Sequence, residues 1–162
     1  MRVLLVALIA ALGATASAQA ASAPSCSSAQ ARAAIKASKL RMKLLGPVQA
    51  VDPNSVDKVI CHDFTRDGRP DMAVTIASGG TAGDIGWIVF RATPAGWSPV
   101  LRHGGYKVGL FRVGGDLVTS QPIYEKNDPN CCPTGGFAHD RYHWNGTRFV
   151  LRSSYHTKTY KP

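Results

Sequence analysis

The segment Asp63-Phe64-Thr65-Arg66-Asp67-Gly68-Arg69-Pro70-Asp71 puts oxygen-bearing side chains at loop positions one, three, five and nine, with glycine at six. Calcium takes six or more hard oxygens around a tight turn, and this spacing wraps carboxylates round one point. In that reading Asp63, Asp67 and Asp71 ligate through their side chains. Thr65 holds the third position and the backbone carbonyl of Arg69 the seventh. A hydroxyl is a poorer calcium ligand than a carboxylate, and Arg66 and Arg69 add positive charge beside the ion. The same residues also suit a turn without metal, with Asp67-Gly68 at its tip and Asp63 and Asp71 accepting backbone N–H bonds.

Four cysteines, Cys26, Cys61, Cys131 and Cys132, allow three disulfide pairings in an oxidising compartment. A bond between neighbours Cys131 and Cys132 would strain an eight-membered ring. The expected pattern is therefore that Cys26 and Cys61 each take one of that pair. As thiols, Cys131 and Cys132 would join His139 and His143 in a zinc-like set, but oxidation removes those ligands. Nucleophilic chemistry finds little support. Ser78 precedes Gly79-Gly80 but lacks the glycine two places before it that a G-x-S-x-G elbow needs. Cys61-His62 and His139-Asp140 are strand neighbours pointing to opposite faces. The loop from Ser78 to Asp84 is Gly-rich but lacks the lysine and following helix of a phosphate-binding loop. A non-enzymatic protein is the expectation, with an extracellular hydrolase using Asp and His residues the weakest reading.

These residues need elements to position them. Ser27 or Ser28 can cap a helix running to about Leu45, where Gly46-Pro47 stops it. Ala31, Ala34, Ile35, Ser38, Met42 and Leu45 form its packing stripe. Arg32, Lys36, Lys39 and Lys43 share another face, a basic stripe suited to an anionic surface. From Val56 the pattern becomes strands: Lys58–His62, Met72–Ala77, Gly86–Arg91, Trp97–Leu101, Lys107–Val113, Asp116–Ser120, Arg141–Trp144 and Thr147–Arg152. Gly114-Gly115 and Asn145-Gly146 read as two-residue hairpin turns. The expected fold is α+β, a disulfide-bonded domain with an N-terminal helix packed on an antiparallel meander of about six to eight short strands.

The first residues predict export. Arg2, an apolar run from Val3 to Leu12 and Ala16-Ser17-Ala18 form a secretory signal over residues 1–18, cleaved after Ala18 or Ala20. Residues 19–162 then form one exported domain, extracellular or in the envelope or periplasm. Cys26 follows Ala23-Pro24-Ser25, so it lacks a Leu-led lipobox, and no run is long enough to span a bilayer. Nineteen Lys and Arg against ten Asp and Glu give a net charge of +9. Outside the cell that charge points away from nucleic acid and toward anionic envelope polymers or lipid head groups.

The Asp63–Asp71 segment resembles the D-x-[DN]-x-D-G-x-x-D loop of VCBS/FG-GAP repeats, which implies the calcium ligands named above. A single such unit rules out a β-propeller. A wider resemblance covers most of the chain after the signal. A Cys-led helix precedes a Cys-containing strand, an Asp-Gly loop and "DMAV"; "SGGTAGDIGWIVFR" and "DPNCCPTGG…RYHWNGTRFV" follow. Together these are similar to the LppP/LprE-like family of actinobacterial envelope proteins. The resemblance implies an envelope location and no known catalytic residues.

Overall fold

The structure, a computed structural model, describes residues 25–162. The signal read over residues 1–18 and both cleavage positions lie outside the described residues. Helix α1 (Ser28–Ser38) starts where the Ser27 hydroxyl accepts the Gln30 N–H, and it buries Ala31, Ala34 and Ile35. It ends at Ser38 rather than at Leu45, because Lys39 takes a left-handed conformation at φ 47°. From there the burial period changes from helical to alternating. Leu40 and Met42 are buried while Arg41 and Lys43 are exposed. That stretch is strand β1 (Arg41–Lys43), antiparallel to β2 (Val48–Ala50), and Gly46-Pro47 lies in the connection between them.

A central sheet follows, with β3 (Val56–His62), β4 (Asp71–Ala77), β5 (Asp84–Thr93) and β6 (Gly96–Gly104) in that order. The run Asp71–Ile76 is buried without a break, so β4 hides both faces. Met72, Val74, Ile76, Ile88 and Phe90 pack against α1, Met42 and Val51. Ala73, Trp87 and Val89 point the other way, onto Leu110, Leu117, Trp144 and Phe149. Those residues belong to an outer sheet of β7 (Gly109–Val113), β8 (Asp116–Pro122), β9 (Phe137–Trp144) and β10 (Phe149–Thr157), ordered β10-β9-β8-β7.

The expected α+β arrangement is therefore overturned. The described chain is mostly β, ten strands in three sheets with one short helix, and no single meander carries that helix. One helix covers only one face of a sheet that is apolar on both, so the second half of the chain forms a sheet over the other. The eight strand segments read from the sequence overlap β3 to β10. Gly114-Gly115 does join β7 to β8. Asn145-Gly146 opens a four-residue connection instead of a two-residue one: the Asn145 side-chain oxygen accepts the N–H groups of Thr147 and Arg148, and Trp144 faces Phe149.

The cysteine pairing also differs from expectation. Cys26 bonds Cys61 and Cys131 bonds Cys132. Packing of α1 on β3 brings Cys26 and Cys61 to a Cα separation of 5.9 Å. The vicinal pair sits in the loop that leads into β9. On the chain-entropy account the bridge across 35 residues stabilises by about 4 kcal/mol.

Two buried carboxylates tie segments together. Asp71 is fully buried and accepts N–H bonds from Thr65 (2.8 Å) and Ala92 (3.1 Å). Burial pushes its carboxyl above the ordinary range against the pull of those donors. Asp116 lies on the outer face of the outer sheet, 2% exposed, and holds Arg141 at 2.6 Å and His143 at 2.7 Å. Burial there raises the carboxyl, but the His143 and Arg141 hydrogen bonds and charges outweigh it and hold it below its usual value.

Asp71→Ala strands two buried N–H donors, so it is expected to cost about 3 kcal/mol in equilibrium unfolding; a loss near zero would refute the anchoring role. Asp116→Asn should cost about 2 kcal/mol near neutral pH. Because folding lowers the Asp116 pKa, its contribution is present above the unfolded carboxylate value and lost as pH falls through the folded one. The difference between wild type and Asp116→Asn should therefore shrink in acid, below about pH 4. An unchanged difference across that range would refute the assignment.

Candidate functional site: a basic cleft beside the first hairpin

The β1–β2 hairpin lies over β6 because two glycines make room for it. Gly86 and Gly104 face each other across β5 and β6. A Cβ on Gly86 would stand 2.8 Å from the Leu44 side chain, and one on Gly104 would run into the backbone carbonyl of Lys43. Met42 and Leu44 therefore pack down while Arg41 and Lys43 turn outward.

Between hairpin and sheet opens a cleft of about 510 Å³, lined by Arg41, Lys43, Arg102 and His103 among polar groups and by Met42, Leu44 and Val48 among apolar ones. Among the described residues no carboxylate lines it. The Arg41 guanidinium donates to the Val48 carbonyl at 3.1 Å, which holds it across the hairpin. Leu45 and Val48 are 51% and 56% exposed, so the hairpin presents bare apolar side chains next to fixed cations.

The expected basic helix stripe is divided by this geometry. Arg32 and Lys36 are exposed on α1, Lys39 caps the helix, and Lys43 lies on β1 in the cleft. Arg41, Arg102 and His103 were not picked out by helical spacing. The alternation from Leu40 to Leu44 carries a signal for Arg41. Nothing local marks Arg102 and His103, which arrive from β6 through tertiary pairing.

The Asp63–Asp71 loop is closed by its own backbone. Asp63 accepts the N–H groups of Asp67 (3.0 Å) and Gly68 (2.9 Å). Asp67 accepts the Arg69 N–H at 3.1 Å and pairs with Arg91, whose guanidinium also lies 5.5 Å from the Trp144 ring. Asp71 is turned into the sheet, and Thr65 is buried with no partner for its hydroxyl oxygen. Among the described residues no group of three or more His, Cys, Asp or Glu is arranged to hold a metal.

His143 and Asp116 are a pair that the sequence reading did not anticipate, since 27 residues separate them. Their contact resembles a base and its orienting carboxylate. Among the described residues no hydroxyl or thiol hydrogen-bonds the other ring nitrogen. Asp116 is shared with arginines as well, Arg141 at 2.6 Å and Arg152 at 3.5 Å. Among the described residues no helix is long and apolar enough to cross a membrane.

No family model matches the chain, and no solved structure matches it. Over 96 residues the chain is 31% identical to Lipoprotein CseA of Streptomyces avermitilis, a stretch covering 59% of this chain and 44% of that protein. The chain thus spans less than half the length of the curated relative it matches. Likeness to a lipoprotein fits a protein of the cell envelope, while the narrower LppP/LprE-like resemblance goes beyond it.

Proposed function

We propose that this chain is an exported, non-catalytic module of the cell envelope that docks on an anionic surface through the β1–β2 hairpin and its cleft. The observation that carries the reading is the lining of that cleft: Arg41, Lys43, Arg102 and His103 with no acid among them, beside exposed Leu45 and Val48. Each basic side chain near an anionic bilayer contributes about 1 kcal/mol. The two apolar side chains favour lipid over a soluble polyanion, because only lipid offers them a water-free layer. Arg32, Lys36 and Lys39 add long-range attraction from the helix side.

The test is co-sedimentation of the oxidised protein with phosphatidylglycerol-containing vesicles, with neutral phosphatidylcholine vesicles as control. Replacing Arg41, Lys43 and Arg102 together by Glu should weaken retention by at least about tenfold, without lowering thermal stability. Lys36→Glu with Lys39→Glu should weaken it less. Leu45→Ser with Val48→Ser should reduce vesicle binding and spare retention on polyphosphate resin. Equal loss on both would mean that the serines disturb the hairpin, and unchanged vesicle binding by the Glu variant would overturn the reading.

Calcium at the Asp63–Asp71 loop is the alternative. An ion there must compete with the N–H donors on Asp63 and Asp71 and with Arg91 on Asp67. Thermal unfolding in EDTA and in about 1 mM Ca²⁺ decides it, because a site near 0.1 mM would raise stability by about 1.4 kcal/mol. A rise abolished by Asp67→Ala would establish the metal site. The backbone bonding favours an unchanged melting temperature.

A further inference from the structure

The loop between β8 and β9 is built with more internal bonding than a connection needs. The Asp128 carboxylate accepts the N–H groups of Glu125 and Thr134 and the Thr134 hydroxyl, each at 2.7 Å. Those bonds hold its charge and keep its pKa low. Ile123 and Gly136 close the base of the loop through a 2.9 Å bond, and Gly135 donates back to Ile123. The Tyr124 hydroxyl and the Lys107 ammonium both donate to the Asn130 carbonyl. The Lys107 ammonium stands over the Tyr106 and Tyr124 rings, 5.5 and 6.0 Å from their centres.

The Cys131–Cys132 bond adds an odd element. A bridge between neighbours closes almost no chain, so it constrains the unfolded state far less than Cys26–Cys61 does. Its effect is local: it fixes one turn and holds polarisable sulfur on the surface. Cys131 lines a pocket of about 270 Å³.

The other walls of that pocket come from distant parts of the chain. Tyr124, Phe137 and Tyr160 supply aromatic surface, and Val108, Pro122 and Pro133 supply aliphatic surface. Tyr160, from the C-terminal segment, is set edge-on against Phe111 and Phe137 at 5.5 Å and remains 42% exposed. Asp84, at the start of β5, and Lys107 are the charged groups at the pocket. Burial, with Asp57 nearby, pushes the Asp84 carboxyl up against hydrogen bonding from Thr75 and the charge of Lys58.

This combination selects among ligand chemistries. Organic cations are disfavoured because Lys107 already occupies the faces of Tyr106 and Tyr124. A simple anion is disfavoured by the adjacent Asp84. A purely apolar guest would leave both charges unanswered. A sugar ring has an apolar C–H face for aromatic rings and hydroxyls that both donate to a carboxylate and accept from an ammonium. The volume lies just under the roughly 300–1,000 Å³ of pockets that take drug-sized ligands, which suits one ring. We propose that the pocket between Tyr124, Phe137, Tyr160 and the Cys131–Cys132 turn binds a single saccharide ring, with Asp84 and Lys107 addressing its hydroxyls. This inference stands independently of docking by the β1–β2 hairpin.

The experiment is a titration of the ¹⁵N-labelled oxidised protein with soluble trisaccharides of glucose and of N-acetylglucosamine. The expected result is saturable shifts confined to amides around Lys107, Tyr124 and Gly136. Tyr124→Ala should weaken binding by about tenfold, the worth of one aromatic face. Asp84→Asn keeps the shape of the side chain and should weaken it similarly, which covers the case that Tyr124→Ala disturbs the loop. Pull-down by insoluble peptidoglycan then separates the sources. Retention blocked by the trisaccharide means the ring belongs to the wall polymer, and binding of the trisaccharide alone means a free sugar. No shift up to about 10 mM, shifts elsewhere, or full binding by Asp84→Asn would overturn the proposal.

Discussion

Burial of β4 and β5 on both faces forces the chain to provide two covers of different kinds. On one face the residues are Met72, Val74, Ile76, Ile88 and Phe90, and a short Ala-rich helix plus a small hairpin is enough to exclude water. On the other, Trp87 is covered by a second four-stranded sheet, with Trp144 and Phe149 in the same cluster. Each large side chain buried in this way contributes about 1.5–3 kcal/mol, so neither cover is dispensable. The layering of helix and hairpin, central sheet and outer sheet follows from that one demand.

The two disulfides answer different problems. Cys26–Cys61 fastens the helix cover to β3, the edge strand of the central sheet, where few residues are available to hold it. Cys131–Cys132 joins no separate layers. It lies in a loop already closed by Asp128 and by the Ile123–Gly136 pair, and so its influence is confined to the shape of that loop. Oxidation thus serves global stability through one bridge and local form through the other.

Much of the outer sheet and central sheet was legible because period-two patterning and Gly-rich turns are local signals. Eight strands and the Gly114-Gly115 turn follow from them. The layer arrangement was not legible, since a continuous apolar run such as Met72-Ala73-Val74 says that both faces are covered without saying by what. The segment Leu40–Leu44 fits a helical stripe and an alternating strand about equally well over so few residues. A left-handed Lys39 decided between them, and only the fold shows it. The cysteine pairing failed for a related reason: ring strain argued against Cys131–Cys132 from the local sequence, whereas packing of α1 on β3, which brings Cys26 beside Cys61, is visible only in the fold. At the candidate cleft, Lys43 was visible from its charge and spacing. Arg102 and His103 were not, because their place beside Lys43 is made by packing of β1 on β6.

The glycines at 86 and 104 link the fold to that cleft. Their missing side chains leave the space into which β1 descends, close enough to the central sheet for Met42 to join the core. Once Met42 is fixed there, strand alternation alone sends Arg41 and Lys43 outward on the same side of the hairpin. The cations therefore need no ion pairs of their own to be held in place, and their charge remains available. A surface that is positioned by apolar packing and left electrostatically unsatisfied keeps its attraction for anions at no cost to the core. That separation is why charge reversal at the cleft and loss of packing beneath it are distinct perturbations in this protein.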